Sequence, residues 1–207
     1  INDDVTGLSL NEKTGVRSFT GHDELPDFHK DMLECVFWGL GGDGTIGANK
    51  NSIKIIGNNT GLGVQGYFSY DSKKSGGVTV SYLRFGEGDI RSAYLIQRPE
   101  FVACHNESYV LKYDMLSGMK QGGVFLLNCE WDVSELDEKL PDDMKYQIAM
   151  KKLDFYIINA VHTGKEIGIN GKINTILQSA FFKIVCDRYA KKYGLMSYEE
   201  AVGYMKE

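Results

Sequence analysis

An apolar and aromatic run, Met32 to Gly39 (MLECVFWG), passes without a break into Gly39-Leu40-Gly41-Gly42-Asp43-Gly44 and then into Thr45 to Ile56, where Ile46, Ala48, Ile53 and Ile56 are available for an inner face. The run is too short for a helix and apolar on both of its alternating faces, so it reads as a strand buried between two layers. The glycines satisfy G-x-G-x-x-G at a strand-to-helix turn. A buried strand feeding a helix through such a turn commits the chain to α/β folding, as a three-layer α/β/α domain around a mainly parallel, Rossmann-like sheet. Glycine there permits positive φ and lets the backbone approach a ligand with no Cβ in the way. The first amides and the positive dipole end of the helix then face a diphosphate. The alternative is that the same glycines serve only tight helix–sheet packing. Asp43 would repel a phosphate unless its carboxylate caps the helix facing away or bonds a ribose hydroxyl. Thr45 offers a hydroxyl at the same end, and Asn49, one turn on, an amide to hold the loop.

Further strands are expected at Val64–Tyr70, Val78–Phe85, Ala93–Ile96, Phe101–His105, Val124–Asn128 and Phe155–Val161. Tyr109–Met119 reads as a helix stopping before Gly122-Gly123, and Asp142–Lys152 as another. Asn174–Tyr193 is a long helix with Ile176, Leu177, Ala180, Phe181 and Ile184 on one face, ended by Gly194. With three prolines and no low-complexity stretch, no interdomain linker is visible. The expectation is one domain over 1–207, a polar arm (1–31) lying over an α/β core (32–207).

Composition removes several functions. The charge balance of 23 basic against 28 acidic residues, a net −5, implies no broad cationic surface for nucleic acid. No apolar run approaches the length of a membrane span. The opening Ile1-Asn2-Asp3-Asp4 lacks the blocks of a signal peptide and an initiator Met, which suggests a piece of a longer chain. Cys35, Cys104, Cys129 and Cys186 are far apart with no C-x-x-C, which argues against zinc or iron–sulfur ligation and against a disulfide scaffold, and fits a cytoplasmic protein.

After the second strand the sequence reads Tyr70-Asp71-Ser72-Lys73-Lys74-Ser75-Gly76-Gly77. In a dinucleotide fold this position lies beside the adenosine ribose. Two ammonium groups, two serine hydroxyls and a double glycine form a cradle for a phosphate monoester, unless the lysines are simply a solvated hairpin. A diphosphate at the glycine turn and a monophosphate at Lys73 and Lys74 describe a nucleotide with a phosphorylated ribose, either NADP or coenzyme A. A third reading makes the domain a structural or assembly module. His22 and His29 read as surface residues of the arm. His105 and His162, at expected strand ends, are either catalytic or satisfied by backbone bonds, and Cys129 is either a reactive thiol or a small core residue. Asn174 either caps the long helix or presents polar groups to the nucleotide. No paired-carboxylate, Ser-His-Asp or metal-ligand constellation stands out.

The strings Gly39–Gly57 (GLGGDGTIGANKNSIKIIG) and Gln65–Phe85 (QGYFSYDSKKSGGVTVSYLRF), with Ile1–Thr6, Phe101–His105 and Lys172–Ile176, resemble the single-chain pyruvate:ferredoxin (flavodoxin) oxidoreductases in collinear order. The resemblance implies an internal gamma-type domain of a multidomain enzyme that oxidatively decarboxylates pyruvate to acetyl-CoA. It implies coenzyme A as the ligand, contacted by Gly42, Asp43, Gly44, Thr45, Ile46, the pair Lys73–Lys74, and Asn174. Thiamine diphosphate, magnesium and [4Fe-4S] clusters would sit on other domains of a homodimeric enzyme, with ferredoxin or flavodoxin as acceptor, so this domain alone would be inactive. Separate gamma subunits of the family tend to carry glutamine where Asp43 stands, which places this chain with the single-chain branch.

Overall fold

The computed structural model describes residues 8–10, 17–19, 32–70, 76–169 and 173–206. Two compact units divide the chain, Ile1–Lys30 and Asp31–Glu207. In the first, β1 (Leu8–Leu10) pairs antiparallel with β2 (Arg17–Phe19), Leu8 opposite Phe19. His22 and His29 lie outside the described residues.

The second unit is built on a six-stranded sheet. Its elements run β3 (Met32–Leu40), α1 (Thr45–Asn59), β4 (Gly63–Tyr70), β5 (Val78–Gly86), β6 (Phe101–Cys104), β7 (Val124–Asn128), α2 (Leu136–Lys139), α3 (Asp142–Met150), β8 (Asp154–Ile158), α4 (Ala160–Glu166), α5 (Ile173–Tyr193) and α6 (Tyr198–Lys206). The spatial order is β4-β5-β3-β6-β7-β8. β3, β6, β7 and β8 are parallel, β5 runs against them, and β4, antiparallel to β5, returns to their direction. The α/β expectation with a mainly parallel sheet is therefore met.

Alternation along the strands divides the core in two. Leu33, Cys35 and Phe37 of β3 join Leu83 and Phe85, Phe101 and Ala103, and Val124 and Leu126 under α1, α5 and α6. Val36, Val102, Cys104, Phe125 and Leu127 face the other way, beneath the segment after β6 and Met144 of α3. Burial on both faces is why the strands read as unbroken apolar runs.

Several local expectations are corrected. Ala93–Ile96 is not a strand: the carbonyls of Ser92 and Tyr94 accept from the side chains of Gln65 and Arg84, both at 2.9 Å, so the backbone is satisfied outside any ladder. Tyr109–Met119 is not a helix. Its buried residues, Tyr109, Val110, Met115, Leu116 and Met119, include helical spacings, which is why the segment reads as a helix, but Asp114 Oδ1 accepts from the Ser117 amide at 3.1 Å, a local bond that competes with helix formation. The strand expected at Phe155–Val161 ends at Ile158, because Asn159 Oδ1 accepts from the His162 amide at 2.9 Å and caps α4. The inner stripe of α1 is Thr45, Asn49, Ser52, Ile55 and Ile56, more polar than the isoleucine pattern suggested. The reason is its neighbour: Gln178 Nε2 of α5 donates to the Ala48 carbonyl (3.2 Å) and to Ser52 Oγ (3.0 Å).

At the start of β3, Glu34 and Arg84 face each other across the β3–β5 ladder, both buried. Arg84 Nε donates to Glu34 Oε1, Nη1 to Gln65 Oε1 and Nη2 to the Tyr94 carbonyl, each at 2.9 Å. The Glu34 amide donates to Glu100 Oε2 at 3.0 Å, and Lys120 Nζ to Glu100 Oε1 at 2.7 Å. Removing one partner of a buried pair strands the other charge, so Arg84→Met is expected to lower stability by about 3–5 kcal/mol in urea unfolding. Adding Glu34→Gln is expected to recover more than half of that loss; a neutral Arg84→Met would contradict the account.

Candidate functional site

Because β3, β6, β7 and β8 are parallel, their carboxyl ends share one edge of the sheet. The chain leaving β3 crosses through α1 to β4 on one side, whereas β6 to β8 extend on the other. The divergence between β3 and β6 is the topological switch point, where open α/β sheets bind ligands.

The glycine turn fills that point. Gly42 and Gly44 take φ of 92° and 87°, a region that favours glycine. A Cβ on Gly44 would lie 2.6 Å from Asn174 Nδ2, and one on Gly39 2.7 Å from Thr45 Oγ1, so neither position accepts a side chain without rearrangement. Beside Gly42, in contrast, a Cβ would meet nothing within 4 Å among the described residues.

Of the arrangements open to Asp43, the structure adopts capping. Its Oδ2 accepts from the Leu40 amide (2.9 Å) and the Thr45 hydroxyl (2.8 Å), and its Oδ1 from the Thr45 amide (2.7 Å). The carboxylate thus clasps the strand exit and the helix entrance together. It also takes the first amide of α1, so the helix meets a ligand with the amides that follow: Ile46 and Gly47 precede its first internal bond, from the Ala48 amide to the Gly44 carbonyl (3.1 Å).

Asn174 reaches the turn from α5, its Nδ2 donating to the Asp43 carbonyl. Its Oδ1 is buried with no hydrogen-bond partner among the described residues. The amide of Asn49, expected to hold the loop, does not do so: Nδ2 is buried and likewise lacks a partner among the described residues. Lys73 and Lys74 lie outside the described residues. The segment that follows them is placed: the Gly41 amide donates to the Gly77 carbonyl at 2.7 Å, fastening the start of the β5 arm to the glycine turn.

His105, at the end of β6, completes the crossing. Its Nδ1 lies 2.8 Å from Thr45 Oγ1. The Thr45 hydroxyl has a single proton, given to Asp43, so the imidazole donates and the Nδ1–H tautomer follows from the network. The His105 amide donates to the Trp38 carbonyl (2.8 Å) and its carbonyl accepts from Asn128 Nδ2 (3.0 Å). Burial pushes its imidazole down to about 4, with the Asp43 carboxylate opposing the shift, so the ring is neutral at pH 7. Spacing gave no sign of this partnership, because Thr45 and His105 are 60 residues apart and meet only once β3 and β6 pair.

The other candidates separate from the crevice. His162 is exposed on α4, 3.4 Å from Glu166. Cys129 is buried and burial pushes its thiol up, the behaviour of a small core residue. All four cysteines are free and buried. Among the described residues, no group of three or more His, Cys, Asp or Glu is placed to hold a metal ion, and no helix is long and apolar enough to cross a membrane.

The model of the family "Pyruvate ferredoxin/flavodoxin oxidoreductase" matches residues 34–199. The chain belongs to this family. It is 52% identical over its whole length to the pyruvate:ferredoxin oxidoreductase of Moorella thermoacetica, of which it spans 16%. Like that relative, other curated oxidoreductases of the family are much longer than this chain. Among solved structures, the gamma subunit of a keto/oxoacid ferredoxin oxidoreductase from Geobacter sulfurreducens is similar in fold, with a TM-score of 0.54 and 22% identity over 83% of each chain. A 2-oxoglutarate:ferredoxin oxidoreductase from Magnetococcus marinus, solved with 2-oxoglutarate, coenzyme A and succinyl-CoA bound, gives a TM-score of 0.54 at 16% identity over 86% of this chain and 30% of that one.

A pH dependence follows for this chain. His105 falls from 6.5 in the unfolded chain to about 4 in the fold, so the unfolded state binds more protons between those values and stability drops as pH falls below about 6.5. Urea unfolding of the chain at pH 5 should show a loss of about 1–2 kcal/mol relative to pH 7 from this group, and His105→Asn should remove that part of the loss. An identical pH 5 to pH 7 difference in both proteins would contradict the buried neutral imidazole.

Proposed function

We propose that this chain is the coenzyme A-holding domain of an oxidoreductase that oxidatively decarboxylates pyruvate to acetyl-CoA and passes the electrons to ferredoxin or flavodoxin. The observation that carries the reading is the Gly41–Gly77 hydrogen bond, which closes the end of the lysine-bearing stretch onto the glycine turn. In this reading one ligand with a diphosphate and a separate phosphate monoester would be anchored at the glycine turn and at Lys73–Lys74. Family membership over nearly the whole chain supports the same reading.

The residues present fit the ligand. Among the described residues Gly42 leaves open space beside the turn and Asn174 Oδ1 is a buried acceptor without a partner, suited to a ligand N–H or O–H. Gly42, Asp43, Gly44, Thr45 and Ile46 would line one end of the ligand, with Asp43 acting through its hold on the turn. Lys73 and Lys74 would neutralise the monophosphate as point charges and offset the negative field of the Asp43 carboxylate. When bound, coenzyme A supplies the thiol that accepts the acetyl group. The chain's own part is to bind and orient that carrier, an effect of proximity. Thiamine diphosphate, magnesium and [4Fe-4S] clusters belong, in this reading, to other domains of the same polypeptide in a homodimeric, cytoplasmic enzyme, and the isolated domain turns nothing over.

Isothermal titration of the chain with coenzyme A and with NADPH, in parallel, tests the reading. Weak heat is expected with coenzyme A, none with NADPH, and about tenfold weaker coenzyme A binding, or ~1.4 kcal/mol, after Lys73→Glu plus Lys74→Glu. Unchanged binding by the double variant, or tighter binding of NADPH, would overturn it.

A further inference from the structure

We propose that His105 is a positioning residue for the glycine turn: its Nδ1–H holds the Thr45 hydroxyl, and through it the Asp43 carboxylate, in the arrangement that meets coenzyme A. The inference rests on the reading of that turn as the coenzyme A loop and adds to it a residue from a different strand.

The turn carries two glycines at positive φ, and a glycine-rich segment has wide conformational freedom unless something fixes it. Besides the Gly41–Gly77 bond and the Asn174 bond to the Asp43 carbonyl, it is fixed by one carboxylate with three donors: the Leu40 amide, the Thr45 amide and the Thr45 hydroxyl. The hydroxyl is the donor that can be lost, because it has one proton and two neighbours that could take it. If His105 carried its proton on Nε2, Nδ1 would accept from the Thr45 hydroxyl and draw that proton away from Asp43. With Nδ1–H donating, the proton stays on the carboxylate side and the clasp is complete. The tautomer of a residue at the end of β6 therefore sets the order of a turn at the end of β3.

The imidazole is itself held in place. Its backbone bonds the Trp38 carbonyl and Asn128 Nδ2, and its ring stands edge-on to Phe37, with centroids 6.2 Å apart and planes at 81°. Asn128 Oδ1 then accepts from the Ala160 amide at 3.0 Å. A belt of hydrogen bonds thus runs from Asp43 through the ends of β6 and β7 to the start of α4. A turn anchored in this way is ordered before a ligand arrives, which removes an entropy cost from binding.

The test uses the oxidoreductase that carries this domain. His105→Phe keeps an aromatic ring beside Phe37 and deletes the donor, so the Thr45 proton has no competing acceptor but Thr45 Oγ1 loses the bond that holds its rotamer against Asp43; His105→Asn restores an N–H close to the Nδ1 position. One lost hydrogen bond in the chain is expected to raise the KM for coenzyme A roughly tenfold in His105→Phe, with kcat and the KM for pyruvate within about twofold. His105→Asn is expected to return that KM to within about threefold of the parent. Without coenzyme A, amide exchange at Leu40 and Thr45 should quicken in His105→Phe and recover in His105→Asn. The pair Lys73→Glu plus Lys74→Glu is the control for the underlying reading. If it raises the KM for coenzyme A while His105→Phe does not, the positioning role is wrong and the coenzyme A reading stands. If His105→Asn is as impaired as His105→Phe, ring packing rather than the donor matters and the proposal is overturned. If the lysine pair has no effect, the coenzyme A reading fails and exchange alone decides: loss of protection with recovery in His105→Asn upholds the positioning role, and unchanged protection overturns it.

Discussion

The carboxylate of Asp43 accepts from the amides on both sides of the glycine turn and from the Thr45 hydroxyl, and that hydroxyl is held by His105 from the neighbouring parallel strand. Without this arrangement, the sequence between β3 and α1 would be a loose stretch of glycines. With it, the start of α1, the end of β3 and the end of β6 become one rigid corner at the switch point. The acid sits where an external anion is ordinarily welcomed by a helix start, so the domain supplies its own negative charge there. A phosphate-bearing ligand would then need cations from elsewhere, the part proposed for the lysine pair beyond β4.

The two ends of the sheet use buried charge differently. At the amino end of β3, Arg84 spends all three of its nitrogens on Glu34, Gln65 and the Tyr94 carbonyl, and Glu100 is met by Lys120, Tyr193 and the Glu34 amide. That network is saturated and serves the join between strands and α5. At the carboxyl end, the polar groups are incompletely used: Asn174 Oδ1 and Asn49 Nδ2 are buried without partners among the described residues. The described residues thus leave buried polar groups unsatisfied at the carboxyl end, the end at which the coenzyme A site is proposed.

Much of this was legible in the residues themselves. The apolar runs of β3 and β7 announced buried strands, the segment Val78–Phe85 was legible as the strand β5, and the glycine turn announced the βα unit. The glycine turn and the Lys73–Lys74 stretch are each local in sequence, so both could be named as candidates from the residues alone; the turn is described in the structure and the lysines lie outside the described residues. The failures share a cause. Tyr109–Met119 carries good helix formers, but Asp114 folds back on the Ser117 amide and Gly118 packs against the Gln97 carbonyl, tertiary demands that propensity does not record. The role of His105 was invisible for a different reason. Its partner is 60 residues away, and only the parallel register that sets Trp38 beside Cys104 brings the two together. The pairing of Glu34 with Arg84 was likewise not legible, because the two lie on different strands and meet only in the antiparallel register of β3 and β5.

The most direct measurement is a structure of the parent oxidoreductase with coenzyme A bound. The account predicts one ligand molecule spanning the switch-point crevice, its diphosphate beside Gly42–Ile46, its ribose phosphate between the ammonium groups of Lys73 and Lys74, and Asn174 Oδ1 within hydrogen-bond reach. Coenzyme A seated on another domain, or at the Arg84 end of this sheet, would contradict it.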